Sequence, residues 1–263
     1  CRRRCERRTA WQGDLVTSIE LDARWTITGH LNGGYLAAVC AQLASEAFDG
    51  AAPLTVSSHY LAPARGAGPA EVELEVIRRG RLSTARVRLS RDKLLLESLV
   101  TVGTPGLDQP TLEHAPVPDI PEWDACHDTG APTAGVPGME VLQHVELRLH
   151  PDDSGALSGG PALERAHARG RLAYRDGSPA DLFLVAAAWD LLPPSPWFAH
   201  IWGQLPTVAA QVVLYPGELV GPLVLEARCD TLHDGIADET ARVWDAHGRL
   251  VASSRQTAVL VPA

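Results

Sequence analysis

The sequence predicts an α+β protein in which two curled antiparallel sheets each wrap around a long central helix. Two segments, 35–48 and 180–192, carry apolar residues on nearly every face, which is typical of helices enclosed by other structure. Each segment is followed by short runs of residues with the alternating pattern of β-strands. A sheet that curls around such a helix would bury it on nearly all sides.

The first half of the chain reads as a strand, a helix and four further strands. The segment 28–34 is rich in turn-forming residues and leads into the first helix, Tyr35–Phe48, which Asp49-Gly50 ends. Five strands are predicted around this helix, at Leu15–Leu21, Leu54–Leu61, Ala70–Ile77, Thr84–Ser90 and Leu94–Val102.

The middle of the chain has a different composition. Seven prolines punctuate the segment 104–138, which shows no sustained periodicity. We therefore expect an extended linker there, between an N-terminal unit at 14–103 and a C-terminal unit at 139–263. Five arginines among the first eight residues predict a basic, disordered tail over residues 1–13.

The second half repeats the order of the first. A helix at 180–192 can begin after Pro179, and Pro193-Pro194 would stop it. Six strands are predicted around it, at Val141–Leu149, Ala168–Arg175, Thr207–Leu214, Leu223–Arg228, Ile236–Trp244 and Leu250–Leu260.

The two halves align with few gaps. Pro63 matches Pro216 and Asp92 matches Asp245, in both cases at a spacing of 153 residues. In the last strand the match shifts slightly, so that Ser98 meets Ser253 and Thr101 meets Gln256. This pattern indicates an internal duplication of one structural unit.

Composition argues against several classes of function. The net charge of −9 disfavours a general nucleic-acid surface. No run approaches the ~20 apolar residues that span a bilayer, and no apolar leader opens the chain, so we expect a cytoplasmic protein without membrane contact. The five cysteines and ten histidines show no metal-type spacing. We expect no metal and no cofactor.

Three sets of residues resemble the first half of type II acyl-CoA thioesterases. They are a turn entering the helix, a strand with a proline, and an arginine-containing strand, at residues 30–35, 59–64 and 78–86. The second half continues the resemblance, which covers roughly residues 14–261, at Asp190, 205–207, 244–253 and Gln256.

The resemblance implies a double-hotdog fold, two hotdog units fused in one chain. It also implies that hydrolysis depends on an Asp after the second helix, a Thr opening the next strand and a Gln in the last strand. Those residues correspond to Asp190, Thr207 and Gln256. The chain departs from the family pattern beside its Gly-Gly pair, where Asn32 and Tyr35 replace the aromatic residue and Gln that are often found there.

The residue types suit the hydrolysis of a thioester. Asp190 lies among apolar neighbours, where burial disfavours its charged form and makes it a stronger base. Thr207 and Gln256 can hold a water beside it. Each residue also has an ordinary interpretation: a partly exposed acid at a helix end for Asp190, and a plain strand residue for each of the other two.

The substrate contacts follow the same reasoning. Asn32, Gly33, Gly34 and Tyr35 are predicted to contact the substrate, because main-chain N–H groups at a helix N-terminus can hold the developing oxyanion. A simple glycine turn is the alternative. An acyl pocket is predicted at three aromatic residues, Trp197, Phe198 and Trp202. The alternative is that they serve as ordinary packing between the two units.

Two functions remain open from the sequence. The first is a thioesterase acting on acyl-CoA or acyl-carrier-protein substrates. The second is a protein of the same fold that binds acyl thioesters but performs acyl transfer, dehydration or no reaction. In either case we expect a homodimer or a larger homo-oligomer.

Overall fold

The computed structural model describes residues 15–104, 112, 114–130 and 139–261. The predicted basic tail at 1–13 lies outside these residues. The helices are α1 (Gly33–Ala47), α2 (Val141–His144), α3 (Pro151–Leu157), α4 (Leu182–Ala188) and α5 (Ser195–Phe198). The strands are β1 (Leu15–Leu21), β2 (Thr26–Ile27), β3 (His30–Leu31), β4 (Pro53–Tyr60), β5 (Gly68–Arg78), β6 (Leu82–Ser90), β7 (Leu94–Gly103), β8 (His127–Asp128), β9 (Val145–Leu149), β10 (His167–Tyr174), β11 (Thr207–Leu214), β12 (Leu223–His233), β13 (Ile236–Trp244) and β14 (Leu250–Val259).

Twelve of these strands form one antiparallel sheet, in the order β1-β5-β6-β7-β4-β11-β14-β13-β12-β10-β9-β8. The predicted α+β class and antiparallel pairing are confirmed. The two predicted sheets meet edge to edge, because β4 and β11 pair across the middle, with Val56 opposite Val212. Main-chain hydrogen bonding between the two halves therefore makes one continuous sheet.

The register of the hairpins refines the internal duplication. The pairing of β6 with β7 shifts between Leu89 and Ser90, and that of β13 with β14 shifts between Val243 and Trp244, 154 residues later. Counted from these irregularities, the pair Ala85–Val100 corresponds to the pair Glu239–Gln256. Gln256 thus matches Val100 rather than Thr101 as predicted, and the polar pair has an apolar counterpart.

Helix α1 begins two residues earlier than predicted. Asn32 is its N-cap, and the Asn32 side chain accepts a hydrogen bond from the main-chain nitrogen of Tyr35 at 2.8 Å. Both Gly33 and Gly34 therefore belong to the first turn of the helix. The helix ends where Asp49 and Gly50 adopt positive φ angles of 54° and 80°, as the Asp-Gly pair predicts.

The second central helix is shorter than the predicted 180–192. Asp181 caps α4 by accepting a hydrogen bond from the nitrogen of Leu184, so the helix starts at Leu182 rather than after Pro179. It ends at Ala188, and Asp190 lies in the turn that follows. Only α1, with 15 residues, is a long central helix; α4 has seven.

Two further segments differ from the prediction. The start of the expected strand at Val141–Leu149 is helical, and β9 begins only at Val145. Within the predicted linker, residues 123–125 form a short 3₁₀ helix and β8 adds to the sheet beside β9. Among the described residues, no helix is long and apolar enough to cross a membrane.

Candidate active site

Asp190 connects the turn after α4 to the N-terminus of α1. Its Oδ2 atom accepts hydrogen bonds from Nδ2 of Asn32 and from the main-chain nitrogen of Gly34, both at 2.9 Å. The same Asn32 amide donates to the main-chain oxygen of Asp190 at 2.8 Å. The carboxylate is thus held by donors that lie more than 150 residues away in the sequence.

The two glycines permit this close approach. A Cβ atom at Gly34 would lie 2.3 Å from the carbonyl oxygen of Ala187 and 2.9 Å from Cβ of Asp190. At Gly33 it would lie 3.0 Å from Oδ2 of Asp190 and 3.2 Å from the ring of Tyr60. Glycine is therefore required at 34 because the backbone of α1 packs directly on α4.

The environment of Asp190 makes it a base of intermediate strength. Burial raises the pKa of its carboxyl from the ordinary 3.8 to about 7. The Gly34 N–H holds the charge and acts in the opposite direction, as do Gly33 and Asn32, whereas the charge of Glu239 raises the pKa further. The side chain is only half-buried by surface area, and its open side faces a cavity. The surrounding protein affects the pKa of Asp190 more than this opening does, because the cavity is small.

Thr207 and Gln256 lie side by side and belong to a longer chain of hydrogen bonds. The Thr207 hydroxyl donates to Oε1 of Gln256 at 2.7 Å, and Nε2 of Gln256 donates to Oε1 of Glu239 at 2.7 Å. The other oxygen of Glu239 accepts a 2.9 Å hydrogen bond from the main-chain nitrogen of Ser195. Thr207 opens β11, Gln256 lies in β14 and Glu239 lies in β13.

A small cavity brings this chain and Asp190 together. Its volume is about 30 Å³, which is room for roughly one or two water molecules. Apolar side chains form most of its wall, with three polar side chains among them. The lining residues are Asp190, Leu192, Pro194, Leu205, Ala237, Glu239, Gln256 and Ala258.

A larger and more open depression of about 460 Å³ lies elsewhere on the chain, around Cys126, His127 and Ser154. None of the residues predicted for the site lines it. The smaller cavity is the better candidate because it combines a carboxyl of raised pKa with convergent polar groups.

The donors expected to hold an oxyanion already have protein acceptors in this structure. The nitrogen of Gly34 donates to Asp190, and that of Tyr35 donates to Oδ1 of Asn32. The N-terminus of α1 therefore supports the charge of Asp190. The side chain of Tyr35 points elsewhere: its hydroxyl accepts from the nitrogen of Asp22, and its ring stacks on Trp25.

The three aromatic residues proposed for an acyl pocket do not line the cavity. Phe198 is fully buried in the main core. Trp197 donates from Nε1 to the carbonyl oxygen of Gly203. Trp202 is 49% exposed and stacks on His200. The structure thus brings together Asn32, Gly33, Gly34 and Asp190. It also pairs Thr207 with Gln256. Asp190 and Gln256 line the same cavity.

Sequence reasoning missed Glu239 and Tyr60. Glu239 lies at an inward position of β13, between the buried residues Ala237 and Ala241. The sequence could have indicated it, because an acid on the apolar face of an alternating strand is unusual. The hydroxyl of Tyr60 donates to the carbonyl oxygen of Gly33 at 2.7 Å. Tyr60 belongs to the strand motif at 59–64, but its place in the site depends on where β4 meets α1.

No group of three or more His, Cys, Asp or Glu side chains suited to a metal ion occurs within the described part of the chain. The polar groups of the cavity are two carboxylates and one amide, held by N–H and O–H donors.

Comparison with known proteins identifies the family. The sequence model of the acyl-CoA thioesterase N-terminal domain matches residues 21–104, and that of the acyl-CoA thioesterase C-terminal domain matches residues 113–260. An uncharacterized protein of Mycobacterium tuberculosis is 29% identical over 271 residues, which cover 93% of this chain and 90% of that protein.

Solved structures agree on the fold. A Thermobifida fusca protein that carries a provisional thioesterase II assignment is 31% identical, with a TM-score of 0.82 over 94% of this chain and 92% of that one. A hot dog fold protein of unknown function from Alicyclobacillus acidocaldarius is 20% identical, with a TM-score of 0.77 over 94% of each chain. The C-terminal domain match alone spans more than half of the sequence, and the chain therefore belongs to the acyl-CoA thioesterase family.

Proposed function

We propose that this protein hydrolyses acyl-CoA or acyl-carrier-protein thioesters to the free acid and thiol, with Asp190 as general base. The observation that carries the proposal is the cavity in which Asp190 and Gln256 meet, with Thr207 bound to Gln256. The family supports the substrate class, and the site supports the reaction.

The proposed reaction uses one water molecule between the base and the thioester carbon. The water oxygen attacks the carbonyl carbon while its proton passes to Asp190, and the C=O electron pair moves to oxygen. When that pair returns, the C–S bond breaks and the thiolate takes the proton from Asp190. The products are a carboxylic acid and a thiol, and the carboxylate of Asp190 is regenerated.

The geometry of Asp190 suits this role. Asn32 and Gly34 both bind Oδ2, so we assign Oδ1 as the proton acceptor. A base with a pKa of about 7 is matched to work near neutral pH. The apolar cavity wall at Leu192 and Leu205 keeps the reacting atoms away from bulk water.

The donor for the thioester oxygen differs from the main-chain donors that were predicted at the N-terminus of the first helix. Gly34 and Tyr35 N–H groups already serve Asp190 and Asn32. Nε2 of Gln256 uses one hydrogen for Glu239 and carries a second. We propose this second amide hydrogen as the donor that polarises the carbonyl group.

The test is a panel of acyl-CoA and acyl-carrier-protein thioesters, with release of free thiol followed by a thiol-reactive dye. We expect turnover on at least one thioester, and its dependence on chain length and carrier defines the substrate. Binding of acyl-CoA by calorimetry without thiol release on any substrate would instead favour the non-hydrolytic function. An Asp190→Asn protein is the control for background hydrolysis.

A further inference from the structure

Glu239 is a buried carboxylate with no cationic partner among the described residues. It is 7% exposed, and no ion pair between described residues involves Glu239 or Asp190. Two N–H donors satisfy it, the amide of Gln256 on Oε1 and the main chain of Ser195 on Oε2. A buried charge held only by neutral donors is costly, so its presence beside Asp190 needs a functional reason.

We propose that Glu239 is a positioning residue of the active site: its two acceptor oxygens fix the orientation of the Gln256 amide and thereby the direction of the Thr207 hydroxyl. The inference rests on the proposed thioesterase function and extends it to a residue that does not contact the substrate.

The argument follows the donors and acceptors along the chain. An ionised carboxylate can only accept hydrogen bonds, so Gln256 must turn its NH₂ group toward Glu239. Its carbonyl oxygen then faces Thr207, and the Thr207 hydroxyl must donate to it. The Thr207 proton is thereby committed, and Thr207 can offer only lone pairs to a substrate water.

This orientation suits a nucleophilic water. Thr207 contacts Gln256 at the cavity but does not itself line it. We place the substrate water between Thr207 and Asp190, where it would donate one hydrogen to the Thr207 oxygen and the other to the Asp190 carboxylate. Both of its hydrogens would be used, and an oxygen lone pair would remain free for the thioester carbon. The reverse orientation of Gln256 would free the Thr207 proton, which would bind that same lone pair and block the attack.

Glu239 also acts on Asp190 through its charge. Among the described residues, the charge of Glu239 on β13 raises the pKa of Asp190, and the charge of Asp190 in turn raises the pKa of Tyr60 on β4. The pKa of the Tyr60 hydroxyl is raised far above 10 by burial, so Tyr60 is neutral. Burial and then the charge of Glu239 raise the pKa of Cys229, so this thiol is neutral too. Removing the charge of Glu239 should therefore lower the pKa of Asp190.

The decisive variants are Glu239→Gln and the exchange Glu239→Gln with Gln256→Glu. In the single variant, residue 239 has one acceptor for two donors, so either Ser195 or Gln256 loses its partner. In the exchange, the new amide at position 239 accepts from Ser195 and donates to the new carboxylate at position 256, which accepts from Thr207. The hydrogen bonds donated by Ser195 and Thr207 keep their direction, the bond between residues 239 and 256 is reversed, and the negative charge stays in the cavity. Glu226→Gln is the matched control, because Glu226 is 5% exposed but pairs with His167 and Arg228.

Two measurements separate this inference from the proposed function. The first is a pH titration of the Asp190 carboxyl by ¹³C NMR, assigned with Asp190→Asn, and it does not depend on activity. We expect the midpoint to fall in Glu239→Gln, and to stay at its wild-type position in the exchange and in Glu226→Gln.

The second measurement is the pH profile of kcat/KM, whose acidic limb should move with the midpoint. We expect kcat of Glu239→Gln to fall about tenfold to a hundredfold with little change in KM. In the exchange kcat should stay low, because the Gln256 amide that polarises the thioester carbonyl is missing.

The outcomes are distinct. A lowered NMR midpoint that the exchange restores supports the positioning role, even if no thioester is turned over and the proposed function fails. If Glu239→Gln does not fold but the exchange does, the need for an acceptor for both the Ser195 nitrogen and the Thr207 hydroxyl is supported. A wild-type midpoint and profile in Glu239→Gln, or an exchange variant whose midpoint stays as low as that of Glu239→Gln, would overturn the inference.

Discussion

The main-chain nitrogen of Gly34 donates a 2.9 Å hydrogen bond to Oδ2 of Asp190, across 156 residues of sequence. This contact sets the proposed base at the N-terminal end of α1, where unpaired N–H groups and the helix dipole favour negative charge. Burial and the charge of Glu239 act in the opposite direction, and the pKa of Asp190 settles at about 7. This one contact between α1 and the turn after α4 thus depends on helix packing and determines the charge of the proposed base.

Replacing Gly34 by Ala should disrupt this contact. The new Cβ would lie 2.3 Å from the carbonyl oxygen of Ala187, so α1 and α4 must move apart. We expect a loss of about 1–3 kcal/mol in the free energy of unfolding, together with reduced kcat. Gly155→Ala is the control, because Gly155 is also helical and a Cβ there meets nothing within 4 Å. Chemical denaturation of both variants checks the prediction, and equal stabilities would contradict it.

Asp190→Asn removes the proton acceptor and roughly keeps the shape of the side chain. We expect kcat to fall by about 10²–10⁴-fold on the best thioester, since that is the usual contribution of a general base. The variant should remain folded, as circular dichroism can check. Asp92→Asn, at an exposed position, should keep full activity. Turnover close to wild type in Asp190→Asn would show that Asp190 is a structural acid.

The raised pKa of Asp190 has consequences of opposite sign for activity and stability. Activity should rise with pH through about 7, because the base works when it is ionised. Stability should fall as pH rises from about 4 to 7, because the folded protein holds a proton that the unfolded chain, with a pKa near 3.8, has already released. Unfolding free energies measured across this range should show this slope in the wild type, and a smaller one in Asp190→Asn.

Thr207→Val and Gln256→Leu should both lower kcat by about tenfold to a hundredfold, because the water loses its fixed position. KM should change little, since neither side chain is expected to hold the CoA portion. Gln256→Leu should also cost about 1–3 kcal/mol of stability, because Glu239 loses a donor in a buried site. Thr207→Ser keeps the hydroxyl and should retain most activity. A strong rise in KM instead of a fall in kcat would argue for substrate binding as the role of these residues.

The protein should form a homodimer or a larger homo-oligomer. Strand β1 ends the sheet and pairs only with β5 among the described strands, and its Val16 side chain is 72% exposed. Open sheet edges are commonly covered by association. Light scattering at micromolar concentration should give a mass of at least twice 28.1 kDa. A mass near 28.1 kDa would show that the fused pair of units is sufficient alone.

Local patterns in the sequence determined most of the strands, because alternation of apolar and polar residues depends only on neighbouring positions. Strands β1, β11 and β13 have the predicted bounds, and most others differ by a residue or two at each end. The antiparallel class followed from the same patterns, and the family from the order of the motifs. The α4 helix was predicted too long at both ends. The apolar run starts before the Asp181 cap and extends beyond the turn at Asp190.

The tertiary structure alone decided how distant segments meet. Pairing of β4 with β11 makes one sheet out of two, and that depends on contacts between strands about 150 residues apart. The same holds for Gly34 and Tyr35, whose N–H groups are taken by Asp190 and Asn32. Glu239 becomes significant only where β13 and β14 bring it beside Gln256. Local propensity sets the conformation of each segment, but the pKa of a carboxyl and the direction of a hydroxyl depend on every group packed around them.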